Sequence, residues 1–207
     1  MNKKSKTSPG KTDTYRNFHH LSRREREGVD FTIEFRDRGS SFLIMALHGG
    51  RIEPMTVQLA RRIAGEDLSF YGFRGIKAAD NWRLHLTSHR FDEPKALRMA
   101  QRSRWVLTVH GLKGEGKEMS IGGLDARRMA AVRSCLEAAG FCFIDSKPST
   151  AGRHPGNICN RGRSGRGVQL ELSIGLRAEL RNRPDQLERF AKAVREGLFR
   201  NLIRRTG

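Results

Sequence analysis

The sequence predicts a single α/β domain in which helices flank a mixed, mostly parallel sheet. Short alternating or apolar segments, typical of strands, interleave with amphipathic segments, typical of helices, along most of the 207 residues. The run FLIMAL at 42–47 is continuously apolar, as expected for a strand buried on both faces of a largely parallel sheet. In such folds, ligands bind at the carboxyl ends of the strands.

The chain opens with a Lys, Ser, Gly and Pro-rich stretch, residues 1–12, which predicts a disordered basic tail before a domain at 13–207. Asp13 is a suitable N-cap for a helix whose apolar residues recur at three-residue steps. Alternation at 30–35 predicts a strand before the buried one. Proline suits the first helical position because its missing N–H needs no partner there, so the apolar stripe after Pro54 predicts a helix.

Strand and helix patterns continue to alternate through the rest of the chain. Further strands are predicted at 68–72, 82–87, 103–109, 141–144 and 168–172. Further helices are predicted at 94–102, from the N-cap Asp125 to 139, and at 184–203. A loop rich in Gly, Pro, Asn and Arg occupies 146–167, and loops of this length in a compact domain are usually functional or disordered.

The net charge of +18 predicts attraction to a polyanion, which could be nucleic acid, an anionic surface or an acidic polymer, although a solvated basic surface is the simpler interpretation. The sequence lacks a helix-turn-helix pattern, zinc-finger spacing and an aromatic RNA-binding signature, which disfavours nucleic acid as the partner. Only 7% of the residues are aromatic, which leaves few side chains for stacking on bases. A basic nucleic-acid-binding protein without hydrolase activity is therefore the alternative function.

No apolar run has the length of a membrane span, and no signal-peptide core follows the basic N-terminus. We therefore expect a cytoplasmic protein that makes no membrane contact and that cell lysis could release. We also expect a monomer. The three cysteines show no CxxC spacing, which disfavours a cysteine zinc site.

Candidate metal ligands follow two predicted strands. His48 comes directly after the apolar run, with Glu53 five positions later, and His110 follows the strand at 103–109. Two imidazoles and a carboxylate form a zinc-type donor set that leaves a fourth position for water. Glu171, on the polar side of an otherwise apolar strand, is the candidate general base. The sequence thus predicts a site for one zinc ion.

Each of these residues also has a structural interpretation. A histidine after a strand often serves only as a hydrogen-bonding group, and Glu53 is placed to stabilise a helix N-terminus. Glu171 could simply pair with an arginine. His85 and His89 are further histidines that could replace any of the ligands, although we favour structural roles for them.

The segment NRGRSGRG at 160–167 precedes the Glu171 strand. Its glycines allow close approach of the backbone, and arginine binds carboxylates in a bidentate manner. A flexible basic loop is the alternative. The candidate substrate-binding residues here are Asn160, Arg161, Arg163 and Arg166.

Five blocks of the sequence resemble signature blocks of the phage-associated poly-γ-glutamate hydrolase family, some of whose members are labelled phage-related replication proteins. The blocks are HGGRIEP at 48–54, YGFRG at 71–75, LHLTSHRFDEP at 84–94, VHG at 109–111 and GRHPGNICNRGRSGRGVQLELSIGLR at 152–177. They occur in order, and the match runs from about Tyr15 to beyond Arg177.

The resemblance implies a zinc carboxypeptidase-like α/β fold and a zinc peptidase that cleaves γ-glutamyl amide bonds. It implies His48, Glu53 and His110 as zinc ligands and Glu171 as general base. The implied partner is a polyanionic γ-glutamyl substrate. The chain is more basic than a typical secreted or phage lytic member of the family.

Overall fold

The structure, a computed structural model, describes residues 12–200. The predicted tail at 1–12 thus lies, except for residue 12, outside the described residues, as does the end of the helix predicted to reach 203. Within 12–200, seven strands form one sheet: β1 Phe31–Arg36, β2 Phe42–Gly50, β3 Ser69–Gly75, β4 Trp105–Gly111, β5 Glu118–Gly123, β6 Cys142–Phe143 and β7 Val168–Leu172. The described helices are α1 Phe18–Ser22, α2 Thr56–Ala64, α3 Pro94–Arg102, α4 Ala126–Ala138, α5 Ile174–Asn182 and α6 Pro184–Phe199.

The strand order is β1-β3-β2-β4-β7-β5-β6. The pairs β3–β2, β2–β4, β4–β7 and β5–β6 are parallel, whereas β1–β3 and β7–β5 are antiparallel. The predicted single α/β domain with a mixed, mostly parallel sheet is therefore confirmed. Because β2, β4 and β7 are parallel neighbours, their carboxyl ends meet at one edge of the sheet.

Helices cover both faces of the sheet, which explains why β2 is continuously apolar from Phe42 to Leu47. Side chains of α2, α4, α5 and α6 pack on one face. Side chains of α1 and α3, together with the segment around Leu84 and Leu86, pack on the other. In the part of the chain that the structure describes, no helix is both long and apolar enough to span a bilayer.

Several predicted boundaries agree with the structure. Strand β7 and helix α3 have the predicted limits, and α4 is capped as predicted by Asp125, whose carboxylate accepts from the Arg128 N–H. The predicted strand at 82–87 is wrong. A 3₁₀ helix, Asn81–Leu84, occupies its first half, and Leu84 and Leu86 are apolar because they pack on the sheet, not because they pair in it.

The predicted helix starts also need correction. Helix α1 is capped by Asn17, not by Asp13. Helix α2 begins at Thr56, two residues after Pro54, and the residue before it, Met55, is left-handed with φ of 78°. The tight turn between β2 and α2 thus extends further along the chain than proline preference predicts.

Candidate metal centre

The first ligand segment departs from regular strand geometry at the point where the site forms. The register of β2 against β3 shifts between Ala46 and Gly49. Alternation along β2 would place His48 on the face opposite Leu47. The shift instead lets His48 reach the same face, where its Nε2 lies 2.8 Å from the Leu86 carbonyl oxygen. Irregularities of this kind commonly redirect a side chain near a functional site.

The glycines after His48 allow the chain to turn back on itself. Gly50 has φ of 67°, and a Cβ there would lie 2.2 Å from the Gly75 carbonyl oxygen. The turn is closed by the Glu53 N–H, which donates to the His48 carbonyl at 2.7 Å. His48 and Glu53 therefore face each other across the turn, as predicted.

The three predicted ligands meet in the structure, and all three are buried. His48 Nδ1 lies 3.2 Å from His110 Nδ1 and 3.4 Å from Glu53 Oε2, and His110 Nδ1 lies 3.9 Å from the same oxygen. Donors ~2.1 Å from a zinc ion in tetrahedral geometry are roughly 3.4 Å apart, so these atoms fit such an ion.

Hydrogen bonds orient the donor atoms. A carbonyl oxygen only accepts, so His48 Nε2 carries the proton that it donates to Leu86, which leaves the Nδ1 lone pair for a metal. The Gly111 N–H donates to Glu53 Oε2 at 2.8 Å and fixes that carboxylate. Ser88 Oγ lies 3.5 Å from His110 Nε2, at the outer side of the ring.

The electrostatics of the three ligands are strongly coupled. Burial disfavours the charged form of His48, but the adjacent Glu53 carboxylate outweighs it and raises the pKa of His48. Burial, followed by the charge of His48, lowers the pKa of His110 to about 3. Although burial opposes ionisation of Glu53, the two histidines and the Gly111 N–H lower its pKa to about 2. The site thus holds one carboxylate and at least one neutral imidazole, the donor forms that a divalent metal requires.

Glu171 lies next to the ligands because β4 and β7 pair with His110 opposite Glu171. Burial, followed by the charge of Glu53, raises its pKa well above the usual range of a glutamate. Gln169 Nε2 donates to Glu171 Oε1 at 2.9 Å, and Gln169 is itself held by Asn157, whose Nδ2 donates to its oxygen. The predicted base is therefore a buried, oriented carboxyl group beside the donor set.

The structure does not bring the predicted substrate-binding arginines to this centre. The N–H of Arg163 donates to the carbonyl of Ser103, which precedes β4, whereas His110 lies near the end of that strand, ~16 Å further along. Arg161 ends a 3₁₀ helix beside the same amino end, and Arg166 lies two positions before the first residue of β7. Their positions give no support to contact with a substrate at His110.

Asn160 has a structural role in this loop. Its Oδ1 accepts from the N–H groups of Leu124 and Gly167, and its Nδ2 donates to the carbonyls of Gly152 and His154. These four bonds use its hydrogen-bonding capacity inside the protein. The predicted substrate-binding role of Asn160 therefore has no free polar atom to support it.

Arg177 is a residue of the centre that the sequence patterns did not single out. It is buried on α5, and its guanidinium donates to the carbonyls of Pro54, Leu112 and Leu172 at 2.7, 3.4 and 3.0 Å. Each of these carbonyls belongs to a residue directly after Glu53, Gly111 or Glu171. One side chain thus connects the three segments that carry the site.

Asp13 and His85 form a second pair beside the ligands. The Asp13 carboxylate lies 2.9 Å from His85 Nδ1 and accepts from the Thr87 N–H. The His85 ring stacks on His48, with centroids 4.1 Å apart, and on Trp82 on its other side. His85 therefore supports a ligand by contact, in agreement with the structural role that we favoured for it.

The fold and site define a single-domain α/β protein with a buried His-Glu-His candidate metal centre at the carboxyl ends of its parallel strands. The chain belongs to the poly-gamma-glutamate hydrolase family, whose model matches residues 15–204. This membership confirms the resemblance found in the sequence, and family and fold together support hydrolase function.

Individual relatives agree with this assignment. A solved structure of a bacteriophage poly-gamma-glutamate hydrolase is 31% identical, has a TM-score of 0.87 and covers 92% of this chain and 99% of that one. A structure described as YndL-apo, zinc-free, is 33% identical and has a TM-score of 0.83. The match covers 95% of this chain and 100% of that one. The UPF0714 protein YndL of Bacillus subtilis (strain 168) is 38% identical over 81% of this chain and 67% of its own length.

Proposed function

We propose that the chain is a zinc-dependent hydrolase that cleaves the γ-glutamyl amide bonds of poly-γ-glutamate or of a related acidic amide polymer. The observation that carries this proposal is the buried cluster His48, Glu53 and His110, whose donor spacing suits one tetrahedral ion, beside the buried Glu171. The family supports the substrate class, and a related structure described as zinc-free supports zinc as the metal.

A zinc ion held by the three ligands would polarise the scissile carbonyl and lower the pKa of a water molecule to ~7. Glu171 then accepts the proton of the attacking water and delivers it to the leaving nitrogen. Burial, followed by the charge of Glu53, raises the pKa of Glu171, and a carboxylate with a raised pKa is a stronger proton acceptor. Gln169 keeps the carboxyl group oriented throughout.

The positive charge of the protein fits an anionic polymer as substrate. A net charge of +18 raises the concentration of a polyglutamate chain near the surface, and this attraction weakens as salt screens it. The charge acts on encounter and does not by itself distinguish polyglutamate from nucleic acid.

The size distribution of poly-γ-glutamate after incubation with the zinc-loaded protein tests the proposal. We expect shortening that a chelator abolishes and added zinc restores, with α-linked polyglutamate left intact as the control. If the protein binds one zinc ion per chain but does not shorten poly-γ-glutamate, the proposed substrate is wrong. Salt-sensitive nucleic-acid binding with no hydrolysis of any amide polymer would favour the alternative function.

A further inference from the structure

Two chain segments border the candidate metal centre on its outer side. The first contains Ser88, whose Oγ lies 3.5 Å from His110 Nε2. The second begins at Thr150, whose carbonyl accepts from the same Gln169 Nε2 that donates to Glu171. One segment is therefore fixed beside a metal ligand and the other beside the base.

The two segments meet above the centre. The Ile158 N–H donates to the Ser88 carbonyl at 3.2 Å. The rings of His89 and His154 lie next to each other, with centroids 4.7 Å apart, and both residues are exposed. Arg90 follows His89 and Arg153 precedes His154, and both arginines are exposed. We call these four residues, His89, Arg90, Arg153 and His154, the basic rim.

The hydrogen bonds of the basic rim leave donors available for an anion. His154 Nδ1 accepts from the Gly156 N–H at 3.0 Å, so the neutral imidazole carries its proton on Nε2, where it can donate to a ligand. The neighbouring carboxylates are bound elsewhere: Asp13 accepts from Thr87 and pairs with His85, and Glu93 caps α3. The ion pair between Arg90 and Asp13 is long, with 3.8 Å between guanidinium nitrogen and carboxylate oxygen, and the Arg90 side chain remains 48% exposed.

We propose that the basic rim binds the free α-carboxylates of the γ-linked polymer next to the bond that is cleaved. This inference rests on the proposed function and names the substrate subsite. A γ-linked glutamate chain carries one carboxylate on every residue, so a polymer whose scissile amide reaches His110 carries anions into the neighbourhood of the basic rim. Arginine and carboxylate form strong, charge-assisted hydrogen bonds.

The test compares two variants that remove the same charge at opposite ends of the sheet. The rim variant is Arg90→Gln with Arg153→Gln, and its matched control is Arg163→Gln with Arg166→Gln. Binding of fluorescently labelled poly-γ-glutamate to the zinc-loaded proteins is measured by anisotropy, and cleavage gives KM and kcat. We expect the rim variant to lose affinity and raise KM by about tenfold or more, with kcat nearly unchanged, and the control to change each by less than about twofold.

A third variant and a neutral substrate distinguish a local subsite from a general effect. His154→Phe keeps a ring against His89 but removes the Nε2 donor, and it is expected to raise KM in the same direction. With a γ-linked oligomer whose α-carboxylates are amidated, wild type and rim variant should have equal KM. Unchanged zinc content and thermal midpoint confirm that the variants fold.

Equal losses in the rim and control variants, or no loss in the rim variant, would overturn the subsite while wild-type cleavage still upheld the proposed function. A wild-type protein that binds the polymer through the basic rim without cleaving it would uphold the subsite and refute the hydrolase. A wild-type protein that neither binds nor cleaves the polymer would refute both.

Discussion

His110 and Glu171 lie directly opposite each other on the neighbouring parallel strands β4 and β7. Residues paired in this way point to the same face of a sheet, so the candidate base stands beside a candidate ligand through backbone pairing alone. The remaining donors join them because β2 runs parallel to β4 on its other side. The chemistry of the site therefore depends on strand register, and the predictions below test its parts separately.

Replacement of Glu171 by Gln should remove catalysis and keep the metal. The amide cannot accept the water proton, so the rate of polymer cleavage is expected to fall by about 10²- to 10⁴-fold. Zinc content, measured by atomic absorption, should match the wild type, because Glu171 is not among the three clustered donors. Glu179→Gln, which changes a surface partner of Lys117, is the control and should retain activity. Activity retained in the Glu171 variant would exclude it as the base.

Replacement of Gln169 by Leu should shift the pH dependence of cleavage. The Gln169 N–H stabilises the ionised form of Glu171 and so lowers its pKa, which burial and Glu53 together raise. Loss of this bond raises the pKa further, so the base form requires a higher pH. The acidic limb of the kcat/KM profile should move to higher pH, with a loss of about tenfold on that limb that is recovered in alkali. The exposed Gln58→Leu is the control, and an unmoved limb would contradict the role of Gln169.

Arg177→Lys tests whether one guanidinium holds the site together. Lysine keeps the charge but, having one nitrogen, cannot reach three carbonyls on separate segments. Zinc affinity, measured by competition with a chromophoric chelator, is expected to fall about tenfold, and urea unfolding should show a loss of about 2 kcal/mol. Arg181→Lys, one turn further along α5 and exposed, should leave both quantities unchanged. Equal effects in the two variants would show that Arg177 acts only through general helix stability.

Zinc affinity should depend on pH through His48. Because the Glu53 charge raises the pKa of His48 above its ordinary value of 6.5, the metal-free protein binds a proton there below that pH, and zinc must displace it. The apparent affinity should therefore fall about tenfold per pH unit below the raised pKa of His48, a range that includes pH 6.5, and level off only above that pKa. Competition titrations at several pH values measure this, and a flat profile would show that no histidine proton is displaced.

The sequence predicts that the three candidate ligands lie close together, because their position follows from chain order. His48 and His110 each lie at the end of an apolar strand, and glycines with a nearby carboxylate mark the tight turn. Parallel pairing then brings the strand ends together. The direction of His48 could not be predicted, because a register shift in β2 reverses the alternation from which a face is normally inferred.

The segment NRGRSGRG at 160–167 shows that residues close to a strand in sequence need not lie near the far end of that strand. Arg163 and Arg166 come before β7, whereas Glu171 lies near its carboxyl end. Because an extended strand rises ~3.3 Å per residue, the backbone of these arginines is far from Glu171. The sequence does not predict β5 or α5, because β5 carries only two apolar side chains before its two glycines and α5 has a weak amphipathic pattern. The role of Arg177 is not predicted for a different reason: its partners are backbone carbonyls, which no sequence motif encodes. The cytoplasmic location, the monomeric state and the likeness to carboxypeptidases stay predictions.

The two histidines of the candidate centre are far apart along the chain, since His110 lies 62 positions after His48. An unfolded chain cannot present them together, so an ion bound there would favour the native state by thermodynamic linkage. At a free concentration one hundred times the dissociation constant, the gain is about 2.7 kcal/mol, a large part of the stability of an ordinary domain. The lifetime of this protein among proteases would then follow the supply of metal, because metal scarcity would lower its free energy of unfolding.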